Sequence, residues 1–99
     1  MKIKLYQNDL PDGLVLGPVV AIDTETLGLN PFRDRLCLVQ LSNGDGSADL
    51  VQIPQGAGPG SAPNLVRLLT DPNVTKLFHF GRFDIAVLQH TFKVMPQQV

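Results

Sequence analysis

The sequence has 99 residues, enough for one small domain with a modest core and too few for two. Its 43% hydrophobic and 17% charged content excludes intrinsic disorder, and 8 basic against 9 acidic residues give a net charge of −1, which excludes coating long nucleic acids by bulk charge. The one cysteine, Cys37, rules out an intrachain disulfide and fits a reducing compartment, while no apolar run reaches membrane-spanning length or resembles a signal core. The expectation is a soluble, cytoplasmic, single-domain protein.

Lys2 to Tyr6 (KIKLY) alternates polar and apolar residues, the period of a half-buried strand. A turn-forming cluster, Asn8 to Gly13, follows. Val19 to Asp23 (VVAID) is short, continuous and β-branched, which predicts a strand buried on both faces. Leu36 to Leu41 and Ala48 to Ile53 are further strands, joined through Asn43-Gly44 and Asp45-Gly46, strong hairpin signals. The three buried runs predict an antiparallel meander. Beyond the Gly/Pro loop at Pro54 to Gly60, Ser61 is placed to cap a helix that begins near Pro63, with Leu65, Val66, Leu68 and Leu69 at helical spacing. Pro72 ends that helix. Val74 to Phe80 returns as a strand, Gly81 breaks it, and Arg82 to Phe92 has the spacing of an apolar-faced helix. The reading is α/β, a mixed sheet with the order β-β-β-α-β-α. A strand followed by a helix normally returns to another parallel strand, so another chain or a further segment is expected to complete the sheet.

The chemistry concentrates in VVAIDTETLGL. Asp23 and Glu25 are two apart, so an extended backbone points both carboxylates to one face at the exit of the strand. Like charges at such spacing repel, and a divalent cation turns the repulsion into attraction; oxygen-only ligands select magnesium or manganese. The bland alternative is that acids end strands because loops are polar. Thr24 and Thr26 face the other side, where strand propensity accounts for them. Asp84, in the first turn of the last helix, is a third acid; its bland role is to favour the helix dipole.

Together, VVAIDTETLGL and the later FHFGRFDIAVL resemble the first two motifs of the DEDD 3′–5′ exonuclease superfamily. Within it the sequence is similar to the RNase D branch. NPFRDRLCLVQLS and SAPNLVRLL bring it close to the compact diribonucleases of the nanoRNase C type. The resemblance implies a ribonuclease H-like exonuclease fold, here the N-terminal part of one exonuclease domain spanning residues 1–99. It implies hydrolysis of short RNA, down to dinucleotides, to 5′-nucleotides with two divalent ions, Mg2+ or Mn2+. Asp23, Glu25 and Asp84 match the catalytic and metal-binding acids. It further implies a higher-order homo-oligomer, an octameric ring at full length.

One departure matters. The family's third motif, with a fourth carboxylate preceded by a water-activating Tyr or His, has no counterpart after Asp84. Tyr6 lies on the first strand and does not match it; neither His79 nor His90 matches the family's base histidine. His79 either contacts substrate or bridges strand end to helix start, and His90 has a surface role. Leu29 matches a leucine that wedges against a terminal base in related oligoribonucleases, or is an ordinary turn or core leucine. Arg82 meets a phosphate oxygen with its planar fork, or is solvated at the helix start. Arg33, Arg35 and Lys76 read as solvated, with the arginines also placed to guide an RNA end. Phe80 and Phe83 are large enough to stack on a base, though core packing is the commoner use. Cys37 reads as a packed small hydrophobe. The leading expectation is a 3′–5′ exoribonuclease domain that is inactive as these residues alone, with part of Phe83, Val87 and Leu88 left uncovered. The alternative is a non-catalytic remnant or assembly piece of the same fold. An aspartyl phosphatase fits poorly, since that chemistry wants Asp where Glu25 stands.

Overall fold

A computed structural model describes residues 2–30, 33–79 and 81–97. Its elements are β1 (Lys2–Gln7), β2 (Val19–Thr26), β3 (Leu36–Ser42), β4 (Ser47–Gln52), α1 (Pro63–Thr70), β5 (Thr75–Phe78) and α2 (Gly81–Phe92). They form one five-stranded sheet in the order β1-β4-β3-β2-β5. The meander is present: β2 pairs antiparallel with β3, and β3 with β4. β5 then returns parallel beside β2, and β1 pairs parallel with β4 at the opposite edge. The sheet is mixed and the class α/β, as expected. The element order has one strand more than β-β-β-α-β-α, because the alternating run at the N-terminus joins the sheet as β1.

The core lies on one face. Val20 and Ile22 of β2, Val39 and Leu41 of β3 and Val51 of β4 meet Leu65 and Leu69 of α1 and Val87, Leu88 and Phe92 of α2 in a single cluster. Val87 and Leu88 are fully buried, against the expectation that they keep surface to cover; Phe83 is half-buried. On the opposite face, Val19, Ala21, Asp23 and Glu25 are exposed. This corrects the expectation of a strand buried on both sides. A continuous apolar run does not distinguish one covered face from two, and both helices here serve the same face. Register places Ile3 and Leu5 of β1 and Leu77 of β5 on that open face as well, each more than half exposed.

Helix α1 starts by a different device from the one expected. Ala62 is its N-cap residue and makes no side-chain cap hydrogen bond; the Ser61 hydroxyl donates instead to the Gly58 carbonyl at 2.7 Å. The cap comes from Asp9, far away in sequence. Its carboxylate accepts from the backbone N–H of Asn64 (2.9 Å), Leu65 (2.8 Å) and Leu10 (2.8 Å). Asn64 answers by donating from its side chain to the Leu10 carbonyl and the Asp12 carboxylate. At the other end of α1, the Lys76 ammonium donates to the Asp71 carbonyl. Lys76 is completely buried, not solvated as expected, and burial lowers its pKa. Its stem follows the core-facing parity of β5, and its charge suits the negative end of the helix. Cys37 is half-buried rather than packed in the core. Among the described residues no helix is long and apolar enough to cross a membrane.

Candidate active site

The site sits where β2 ends beside β5 and α2 begins. A cavity of about 780 Å³ opens there. Strand β2 contributes Asp23, Thr24, Glu25 and Thr26; the turn after it contributes Gly28 and Leu29; the β5–α2 junction contributes His79, Gly81, Arg82, Phe83 and Asp84. The six residues singled out as Asp23, Glu25, Asp84, Leu29, His79 and Arg82 therefore line one cavity. Phe83 joins them, and Phe80 lies outside the described residues.

Their settings differ. Asp23 and Glu25 are exposed on the open face of the sheet. Asp84, by contrast, is 2% exposed. Its Oδ1 accepts a hydrogen bond from the Thr24 hydroxyl, while Oδ2 is buried with no hydrogen-bond partner among the described residues. Burial raises the pKa of this carboxyl above its ordinary value; the Thr24 hydroxyl opposes the rise and the nearby Asp23 charge adds to it. An unsatisfied buried carboxylate oxygen costs folding free energy, so it calls for a reason beyond packing. Among the described residues no three His, Cys, Asp or Glu side chains are gathered closely enough to form a metal-holding group. The three acids share a cavity without forming a finished cage.

Thr24 is the residue that reading the sequence missed. It does face away from Asp23 and Glu25, yet it is 8% exposed and its hydroxyl holds Asp84 across the sheet–helix junction. A hydroxyl at a core-facing strand position, level with a helix-start acid, was the available signal. The turn beyond β2 is braced in turn. The Thr26 hydroxyl donates to the Gly28 carbonyl at 2.5 Å. A Cβ on Gly28 would fall against the Asp34 carboxylate, so a larger residue here would force that side chain out of its place in the turn. Asp34 accepts from the Asn30 N–H at 3.0 Å and from Arg33 Nε at 3.0 Å, and the arginine holds the Asp34 carboxyl below its ordinary pKa. This brace presents Leu29 at 91% exposure on the cavity rim, so it is not a core leucine.

Arg82 and His79 are exposed on the rim. Arg33 and Arg35 lie elsewhere. They line a second cavity of about 330 Å³ with His90 and Lys93, and Arg35 donates to the Ile53 carbonyl at 2.9 Å. Tyr6 also stands apart, donating from the edge strand to Asp49 at 3.1 Å.

Comparison with known proteins gives this arrangement a context. A family model described as 3′–5′ exonuclease matches residues 7–99. The structure is similar to that of Brucella melitensis NrnC, with a TM-score of 0.89 and 61% identity; the match covers 98% of this chain and 47% of NrnC. That protein has also been solved with bound Mg2+ and bound to pGG. In sequence, the chain is 38% identical over 88 residues to ribonuclease D of Acidiphilium cryptum (strain JF-5), covering 88% of this chain and 21% of that protein. Ribonuclease D of Escherichia coli (strain K12) is 35% identical over 80 residues, covering 81% of this chain and 20% of its own. The chain thus spans about half the length of NrnC and about a fifth of these ribonucleases D.

Proposed function

The chain belongs to the 3′–5′ exonuclease family, and from that premise we propose that it carries the first two acidic motifs of a ribonuclease D-like enzyme acting on short RNA. The observation that carries this reading is that Asp84, whose buried Oδ2 has no partner among the described residues, lines one cavity with Asp23 and Glu25. That oxygen suits a divalent cation, with Asp23, Glu25 and Asp84 as the holding residues; the hard oxygen set selects Mg2+ or Mn2+. Two such ions, when bound, supply Lewis acidity toward the phosphodiester and offset the charge of attacking and leaving oxygens.

The chain's own residues receive and align the RNA end. Arg82 faces the cavity with a planar fork suited to a phosphate oxygen. Leu29 offers an apolar surface for a terminal base, and His79 stands at the strand end where the ribose or phosphate enters. A cavity of about 780 Å³ suits the end of a strand or a dinucleotide. The net charge of −1 is consistent with few phosphates contacted. We take a 5′-phosphorylated RNA dinucleotide as substrate, in keeping with the pGG held by NrnC. The open apolar face of the sheet suits further protein packing, consistent with a homo-oligomer of the full-length enzyme, and the single cysteine suits the cytoplasm.

The ninety-nine residues alone are expected to turn over little or nothing, since no residue matches the third motif. The test is to assay the polypeptide with manganese on a 5′-phosphorylated RNA dinucleotide, alone and joined in frame to a segment bearing a Tyr-x-x-x-Asp helix. Turnover by the joined protein alone supports the reading. Comparable turnover by the short chain defeats this account of the site, and faster loss of long RNA than of dinucleotide defeats the substrate assignment. A second reading, a non-catalytic assembly piece, is favoured by the absence of a gathered three-ligand group among the described residues. A joined protein that binds Mn2+ and turns over substrate excludes it.

A further inference from the structure

The middle residue of the Asp-x-Glu motif touches both acidic motifs. The backbone N–H of Thr24 donates to Asp23 Oδ1 at 3.1 Å. Its hydroxyl, on the other face of the strand, donates to Asp84 Oδ1. One residue thus ties together two carboxylates separated by most of the chain. The backbone half of this tie is available to any residue except proline; the hydroxyl half is not.

A carboxylate turns freely about its last bond, because that torsion has broad, roughly two-fold preferences. At Asp84 the hydroxyl removes that freedom. With Oδ1 occupied by Thr24, Oδ2 is left buried and without a partner among the described residues, on a side chain whose residue lines the cavity. The β-branched side chain of threonine is itself stiff about its first torsion, and Thr24 is 8% exposed, so donor and acceptor are both held by packing. We propose that Thr24 is a positioning residue that fixes the orientation of the Asp84 carboxylate, presenting its free oxygen for a divalent cation. This rests on the function proposed above and adds a role that the two acidic motifs do not themselves state.

The hydroxyl and the packing are separable by substitution. Thr24→Val keeps the shape and removes the donor; Thr24→Ser keeps the donor and removes a methyl group. Binding of Mn2+ to the metal-free protein is read by the loss of the free-ion electron paramagnetic signal, with thermal melting as the control for folding. Hydrogen bonds to charged groups contribute enough that Thr24→Val should weaken Mn2+ binding by about tenfold or more. Thr24→Ser should stay within about threefold of the unsubstituted protein, on the scale where tenfold is 1.4 kcal/mol. Equal Mn2+ affinity in Thr24→Val and the unsubstituted protein overturns the role while leaving the proposed function standing. A serine variant that melts normally yet binds as weakly as valine shows that the methyl group matters, and also overturns it. If neither the unsubstituted chain nor the same chain joined to the third-motif segment binds Mn2+ at millimolar concentration, the proposed function falls and this role falls with it.

Discussion

The two described helices begin beside a carboxylate held from a distance, and the two carboxylates are treated in opposite ways. At the start of α1, Asp9 reaches across from the loop after β1 and accepts three backbone N–H groups. At the start of α2, Asp84 accepts from Thr24 and leaves its second oxygen buried and, among the described residues, unpartnered. Both positions place negative charge where helix dipoles favour it. Their difference lies in satisfaction. The first acid has spent its hydrogen-bonding capacity on the fold, and the second holds capacity in reserve at the cost of stability. That contrast separates an architectural carboxylate from the one proposed to be ligand-ready more sharply than burial or motif alone.

The largest expected effect falls on the ligand-ready side. In a protein joined to the third motif, Asp23→Asn or Asp84→Asn should lower manganese-dependent turnover by about a thousandfold, since metal-borne charge stabilisation amounts to several kcal/mol and each 1.4 kcal/mol is tenfold. Circular dichroism should show the fold unchanged. Full activity in either variant means the site is misplaced. Asp9→Ala should do the reverse: a loss of about 2 kcal/mol in urea unfolding, from the top of the range for a lost helix cap, with Mn2+ affinity unaltered. A weakened Mn2+ site in a folded Asp9→Ala protein would erase the distinction between the two ends.

A subtler test uses protons. Because the Asp84 pKa is raised above its ordinary 3.8 in the folded state, the native protein retains this proton to higher pH than the unfolded chain does. Its contribution therefore makes stability fall as pH rises from the unfolded value through the raised native one. Metal-free urea unfolding across that window should show a steeper fall for the unsubstituted protein than for Asp84→Asn, and added Mn2+ should flatten it. Identical slopes would mean that the buried charge is relieved some other way. The smallest effect is expected at Ser61. With Asp9 as the cap, Ser61→Ala should shift stability by no more than about 0.5 kcal/mol. A larger loss would return the capping role to Ser61.

The chemistry was more legible in the sequence than the scaffold that aims it. That Asp23, Glu25 and Asp84 come to line one cavity was legible because motif residues and their local secondary structure are short-range signals, and the meander announced itself through Asn-Gly and Asp-Gly turns. Asp9 was not recognisable as a cap, because a cap supplied across more than fifty residues leaves no local pattern, whereas Ser61 sits where local rules expect one. Lys76 looked solvated for the same reason: residue type predicts exposure until a particular carbonyl at a particular helix end accepts its charge. The one-sided burial of β2 was hidden because Val19 and Ala21 make the start of its uncovered face apolar, as Leu77 does on the neighbouring β5. Thr24 was passed over because threonine in a strand needs no explanation until its partner is known.

The pairing of β1 with β4 also has a consequence during synthesis. Lys2 lies opposite Ser47 and Gln7 opposite Gln52, a separation of 45 residues. At translation rates of 5–20 residues per second, the first strand is made roughly two to nine seconds before its partner. For that interval a strand with apolar Ile3 and Leu5 has no intramolecular ladder to join. The edge of the finished sheet is thus the last part of its N-terminal half to be secured, and the first that a neighbouring nascent chain encounters unpaired.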